Sequence, residues 1–327
     1  MEIVNNRLLL GNVVVENLVE KYGSPLFVYE AAVIRERYLK LRESIRYPKL
    51  QIFYSCKANS NIAILQLLRK LGAAVQVASP AEVYLAHKAG FSSFNIIHAS
   101  SSPGMSEVAY VIDRNIRVTI DSLTLLRQYG ERYRGTGVYL RLNPELTMTV
   151  RNPAKKGQKQ DADDPGTVVR IPAKTGIPAS SLEEVRKILA EYRLSLNGLH
   201  VHLSPGSRVG SFVVDCLARM LEWAEAFDTV ELCDIGGGIG SLIENDEELD
   251  TLEHLAETLV KRMQQFTGKT NRTLTLAIEP GCYLVGDAGY LVSTVNALTN
   301  DGIHEYAGLD TGINHFGHTH PDQKLRQ

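Results

Sequence analysis

Four short segments of this chain hold residue types that do chemistry in combination. Lys57 closes the run Phe53-Tyr54-Ser55-Cys56-Lys57. His200 and His202 close Gly198-Leu199-His200-Val201-His202. Gly236-Gly237-Gly238, with Gly240 just beyond, follows Cys233-Asp234-Ile235, and Glu279-Pro280-Gly281 follows an apolar run ending at Ile278. A lysine amine kept deprotonated can capture an aldehyde as a Schiff base. Glycines without Cβ let backbone N–H groups close on a phosphate. A carboxylate can hold a proton on a ring nitrogen, and an imidazole can stack on a ring's face. Taken singly, each has a plain structural reading: a solvated rim lysine, a packed or metal-binding His pair, a tight turn, a strand terminator. No third ligand lies near the His pair in sequence, so no metal site is expected.

The elements that must position these residues alternate. The candidate strands are 51–56, 74–78, 95–99, 117–121, 137–142, 199–203, 231–235 and 273–278. Helix-like stretches lie between them, among them 61–71, 80–88, 181–192, 211–227 and 249–266. Ile62, Leu65, Leu68 and Leu71 recur every three residues, close to a helical stripe. Repeated βα units require a parallel sheet with right-handed crossovers. Eight strands in about 230 residues fit a closed (β/α)8 TIM barrel better than an open sheet. The chemical residues all fall at C-terminal strand ends, and in a barrel these share the rim that carries active sites. Several plain readings converging on one rim are outweighed by one cofactor site, and the parts match pyridoxal 5'-phosphate. The first 40 residues and those after Gly281 break the repeat, and 290–297 and 305–310 read as strands. The expected organisation is 1–40 joining a second, β-rich domain built from both chain ends, 41–282 a cofactor-binding barrel, and 283–327 the start of the β domain, incomplete here. Residues 145–180 form a polar connection punctuated by Pro and Gly, read as a surface excursion rather than a lid.

Composition narrows the rest. The chain is 44% hydrophobic and 22% charged with a formal net charge of -2, which gives no nucleic-acid footprint and no polybasic membrane surface. No apolar run approaches the ~20 residues that span a bilayer. The start has no basic region before Leu8-Leu9-Leu10, so no signal peptide is expected. Cys56, Cys216, Cys233 and Cys282 show no CxxC spacing, which suits a reduced, cytoplasmic setting.

The motifs together resemble the diaminopimelate/ornithine decarboxylase family, the fold type III decarboxylases. Tyr54-Ser55-Cys56-Lys57-Ala58-Asn59 is similar to its lysine segment, Y-x-x-K-A-N. Leu71-Gly72-Ala73, Ser79-Pro80-Ala81-Glu82, Ala89-Gly90-Phe91, Gly198–His202, Asp234–Gly238 and Glu279–Gly281 follow in the family's order. Lys21–Tyr29 resembles its lead-in, and Asp310-Thr311-Gly312-Ile313-Asn314 its D-A-G-x-N strand. The resemblance implies Lys57 as Schiff-base lysine and His202 as stacking imidazole. It implies Gly236, Gly237 and Gly238 as phosphate holders, with Gly281 beside them, and Glu279 as partner of the pyridine nitrogen. It also implies decarboxylation of a diamino acid such as meso-diaminopimelate or an analogue from specialised metabolism, by a homodimer with shared active sites. The chain departs from the pattern at Gln76, where the family has aspartate, and at Cys282, where it has a phosphate-holding arginine. In His202-Leu203-Ser204-Pro205-Gly206-Ser207 the phosphate-contacting serine is displaced, making Ser207 the candidate and Arg208 the replacement cation. The family pattern continues beyond Gln327, so a C-terminally shortened chain is expected. Two alternatives stand beside the decarboxylase: an alanine-racemase-like enzyme, and a catalytically impaired homologue acting through partner binding.

Overall fold

The computed structural model describes residues 1–150, 167–170, 174–202, 210–238 and 252–315. Two compact units divide the chain, one of Met1–Ile34 with Val285–Gln327, the other of Arg35–Leu284. The larger unit runs α1 (Ala31–Ser44, its first turn in the smaller unit), β1 (Leu50–Ser55), α2 (Ile62–Lys70), β2 (Ala74–Val77), α3 (Pro80–Lys88), β3 (Ile96–His98), α4 (Met105–Ile112) and β4 (Arg117–Ile120). It continues with α5 (Leu123–Arg132), β5 (Gly137–Asn143), α6 (Leu182–Tyr192), β6 (Ser195–His200), α7 (Gly210–Ala226), β7 (Leu232–Asp234), α8 (Leu252–Thr270) and β8 (Thr275–Ile278). Each strand pairs in parallel with the next, and β8 pairs with β1, so the sheet closes into the expected (β/α)8 barrel.

Local chemistry starts the helices where they start. Pro80 opens α3 behind a capping box, in which Ser79 Oγ accepts from Glu82 N–H at 3.3 Å and Glu82 Oε2 accepts from Ala78 N–H at 2.7 Å. Ser122 Oγ caps α5 and Asn61 Oδ1 caps α2 in the same way. Inside the barrel Phe53, Ala74, Ile97, Leu232 and Ala277 form a buried cluster with Tyr139 against it.

The sixth strand differs from expectation. It runs Ser195–His200 rather than 199–203, and Leu203 lies outside the described residues. Asn197 and Gly198 read as turn residues in sequence, yet Gly198 is what lets Tyr139 enter the barrel. A Cβ at Gly198 would sit 2.3 Å from Tyr139 Cδ1. Gly198→Ala is therefore expected to destabilise by about 1–3 kcal/mol through overpacking. Gly268→Ala, on α8 with nothing within 4 Å of the added methyl, should not. Thermal unfolding of both variants checks this.

Two further stretches add detail. Within 145–180, Thr147–Val150 and Thr167–Arg170 pair as an antiparallel hairpin, and Ile177–Pro178 adds in parallel to β5. The smaller unit is β-rich, and both chain ends supply it. Leu26–Tyr29 pairs antiparallel with Gly289–Val292, and Val295–Asn300 with Glu305–Leu309. No helix among the described residues is long and apolar enough to cross a membrane.

Candidate active site

Strand alternation builds the site. Successive side chains point to opposite faces, so each inward barrel residue is followed two positions later by another inward residue. From inward Phe53 the series runs to Ser55, with Lys57 on the turn that follows, and from Leu232 to Asp234, with Gly236 in the turn beyond. From Tyr139 it runs to Arg141 and from Gly198 to His200, with His202 and Glu279 just past the ends of β6 and β8. Arg141, His200 and Asp234 are direct register partners across β5, β6 and β7. They form one polar layer above the apolar cluster.

Above that layer Lys57, on the turn Cys56–Ala58, brings its Nζ to 3.5 Å from His202 Nε2. Gly237 N–H donates to His202 Nδ1 at 3.3 Å, while Nε2 faces Lys57. Glu279 Oε2 lies 3.9 Å from His202 Nδ1 and 3.5 Å from His200 Nε2, and the two imidazole rings are near parallel with centroids 6.4 Å apart. Arg141 donates from one guanidinium nitrogen to the His202 carbonyl at 2.8 Å and from the other to Ser101 Oγ at 3.3 Å.

Burial sets the charges. His202 is pushed down to about 3 by burial first and then by the Lys57 cation, and His200 to about 4 by burial. Asp234 is pushed up to about 8 by burial and the neighbouring Glu279 charge. Glu279 rises to about 7 through burial, with Lys57 and Arg141 pulling the other way. In the unfolded chain these carboxyls ionise near 3.8 and 4.5, so the stability they contribute is full at low pH and lost as pH rises through 7–8. The imidazoles act oppositely, losing stability as pH falls below their ordinary 6.5. Above 6.5 they are neutral in both states and only the carboxyls count. The thermal midpoint of the cofactor-free protein is expected to fall between pH 6.5 and about 8. A flat or rising midpoint would contradict this.

The residues present fit pyridoxal phosphate through Glu279. Glu279 Oε1 is a buried acceptor with no hydrogen-bond partner among the described residues, which suits a protonated ring nitrogen. The glycine turn packs so closely on the neighbouring backbone that no side chain could replace its hydrogens. A Cβ at Gly236 (φ +71) would lie 2.3 Å from Val201 O, and one at Gly237 2.6 Å from Glu279 O. Residues 31–286 match the family described as pyridoxal-dependent decarboxylase, pyridoxal binding domain.

The chain belongs to the pyridoxal-dependent decarboxylase family.

It is 27% identical over 323 residues to a diaminopimelate decarboxylase of Methanothermobacter thermautotrophicus, covering 94% of this chain and 71% of that relative. To a diaminopimelate decarboxylase of Bacillus subtilis it is also 27% identical, covering 95% of this chain and 72% of the other. A crystal structure of diaminopimelate decarboxylase from M. jannaschii shares the fold with a TM-score of 0.76 at 24% identity, over 96% of this chain and 73% of that one.

Not every residue expected from the sequence is at the centre in the same way. Gly236 and Gly237 are at the rim, but their N–H groups donate inward, to Asp234 Oδ1 at 2.9 Å and to His202 Nδ1. Gly238 is the exposed end of the turn. Gly281 packs on the lysine turn, its missing Cβ 3.0 Å from Ala58 Cβ. Ser207 and Arg208 lie outside the described residues. Gln76 is a buried staple across three strands, accepting from Ser55 Oγ at 2.9 Å and donating to Ala99 O at 2.8 Å. Sequence reading gave Arg141 and Asp234 no part in the site. The signal was a charged residue at the inward position of an apolar run, as in Gly137–Leu142.

Proposed function

We propose that this pyridoxal-dependent decarboxylase removes CO2 from a diamino acid of the diaminopimelate class. The observation that carries the reading is one rim on which an amine, a neutral imidazole and a buried carboxylate converge. Lys57 Nζ is 3.5 Å from the His202 ring, and Glu279 is 3.9 Å from the same ring on its other side. Pyridoxal phosphate, when bound, supplies an aldehyde for the substrate amine and a ring that accepts the electron pair left as the carboxylate departs. Lys57 Nζ is the covalent attachment point, and the neutral His202 ring offers a flat apolar face. Glu279 keeps a proton on the ring nitrogen. The turn Gly236–Gly238 admits the phosphate, with Ser207 and Arg208 proposed beside it on sequence position alone and Arg208 standing in for the cation lost at Cys282. Arg141 holds the His202 backbone in place. A homodimer with shared sites and a cytoplasmic setting are part of the same proposal and rest on the family resemblance.

The test is CO2 release from the cofactor-loaded protein offered meso-diaminopimelate, lysine, ornithine and arginine. Turnover fastest on diaminopimelate is expected. Full cofactor loading with no CO2 from any of the four would overturn the reading.

A further inference from the structure

Asp234 and Glu279 stand at the ends of adjacent strands as a pair of buried carboxyls. Asp234 is fully buried and Glu279 only 4% exposed. Asp234 Oδ1 accepts the Gly236 N–H at 2.9 Å, while Oδ2 is buried without a partner among the described residues. Glu279 Oε1 is in the same condition. The two strand ends are neighbours in the sheet, Asp234 standing in register with Ala277, two residues before Glu279, and the charge of Glu279 is felt at Asp234. Two ionised carboxylates are acceptors only and cannot bond to one another, and a buried like-charged pair does not ionise twice. One shared proton gives both oxygens a partner and leaves Glu279 lone-pair capacity for a ring nitrogen.

We propose that Asp234 is a neutral carboxylic acid at physiological pH, donating from Oδ2 to Glu279 and so acting as the positioning residue that keeps Glu279 an ionised carboxylate. Its positioning role toward a ring nitrogen rests on the function proposed above; its protonation does not.

The neighbours decide which of the pair holds the proton. Glu279 faces the cations of Lys57 and Arg141, both of which favour its ionised form. His202 Nδ1 already accepts from Gly237, so it cannot compete as a donor to Glu279. Around Asp234 stand the neutral imidazole of His200, the Arg117 guanidinium and the uncharged thiol of Cys233. The Gly236 N–H fits a carbonyl-type Oδ1, which leaves Oδ2 as the hydroxyl.

Asparagine can replace such an acid without loss. Its oxygen accepts from Gly236 and its amide donates to Glu279, but it holds no titratable proton. Alanine can do neither. The test uses the full chain labelled with [4-13C]aspartate, titrated by NMR before and after pyridoxal phosphate is added. One aspartate carboxyl carbon is expected to keep a protonated shift at pH 6 and to titrate near 8 in the cofactor-free protein, and Asp234→Asn should delete that signal. Every aspartate carbon at its ionised shift at pH 6 would overturn the proposal. So would a [5-13C]glutamate sample that places the proton on a glutamate instead. These wild-type titrations decide the matter even if Asp234→Asn does not fold. For the positioning role, cofactor affinity at pH 7 should stay within about threefold in Asp234→Asn and fall at least tenfold in Asp234→Ala. Equal losses in both would mean a structural role only. Failure of the wild-type chain to bind the cofactor at all would count against the proposed function, and the proton assignment would still be read from the NMR.

Discussion

Lys57→Ala is expected to lower CO2 release by at least ~10³-fold, the scale of losing a residue that takes part covalently. The side chain ends in the open rim beside His202, and the turn that carries it is held by backbone contacts such as Ser55 N–H to Pro280 O at 3.0 Å. Truncation at this position removes no packed group. The fold should therefore survive, with stability within about 0.5 kcal/mol of the parent. A variant that folds and still turns over at more than a tenth of the parent rate would remove Lys57 from the chemistry. Added alkylamines, which restore an amine in solution, should recover part of the lost rate.

Glu279→Gln should lower kcat by roughly 10²–10³-fold, the effect of removing one preorganised charge from a dry site. The amide has the shape of the carboxyl and can still accept a hydrogen bond, but it cannot hold a proton on a ring nitrogen. Cofactor capture by Lys57 should persist, because Lys57 and its turn are untouched. The substitution leaves Asp234 as the one titrating carboxyl of the pair, so the decline in stability above pH 6.5 should flatten. An unchanged kcat would mean that Glu279 is a structural carboxyl. Steady-state kinetics beside the cofactor spectrum separates the two outcomes.

Much of the barrel was legible because its signals are local. α3 begins at Pro80 behind Ser79 and Glu82 as its capping chemistry dictates, and β2, β3 and β4 are short apolar runs whose limits moved by no more than a residue at either end. The sixth strand was misplaced because Asn197 and Gly198 carry turn chemistry locally, and only Tyr139 on the neighbouring strand explains a glycine there. Of the site, Lys57, His202, the glycine turn and Glu279 stood out as unusual residues at strand ends. The layer beneath them did not. Asp234 and Arg141 read as ordinary strand residues until β5, β6 and β7 are in register, when Arg141, His200 and Asp234 become neighbours. The engagement of the Gly236 and Gly237 N–H groups was likewise invisible, since their acceptors are side chains whose positions are set by the closed barrel.

The claim that this rim captures pyridoxal phosphate through Lys57 has a direct test. The purified chain is loaded with the cofactor, treated with borohydride, digested and mapped by mass spectrometry. A reduced pyridoxyl group on the peptide carrying Lys57, absent from Lys57→Ala, is the expected result. A protein that takes up no cofactor, or one trapped equally well on other lysines, would contradict it.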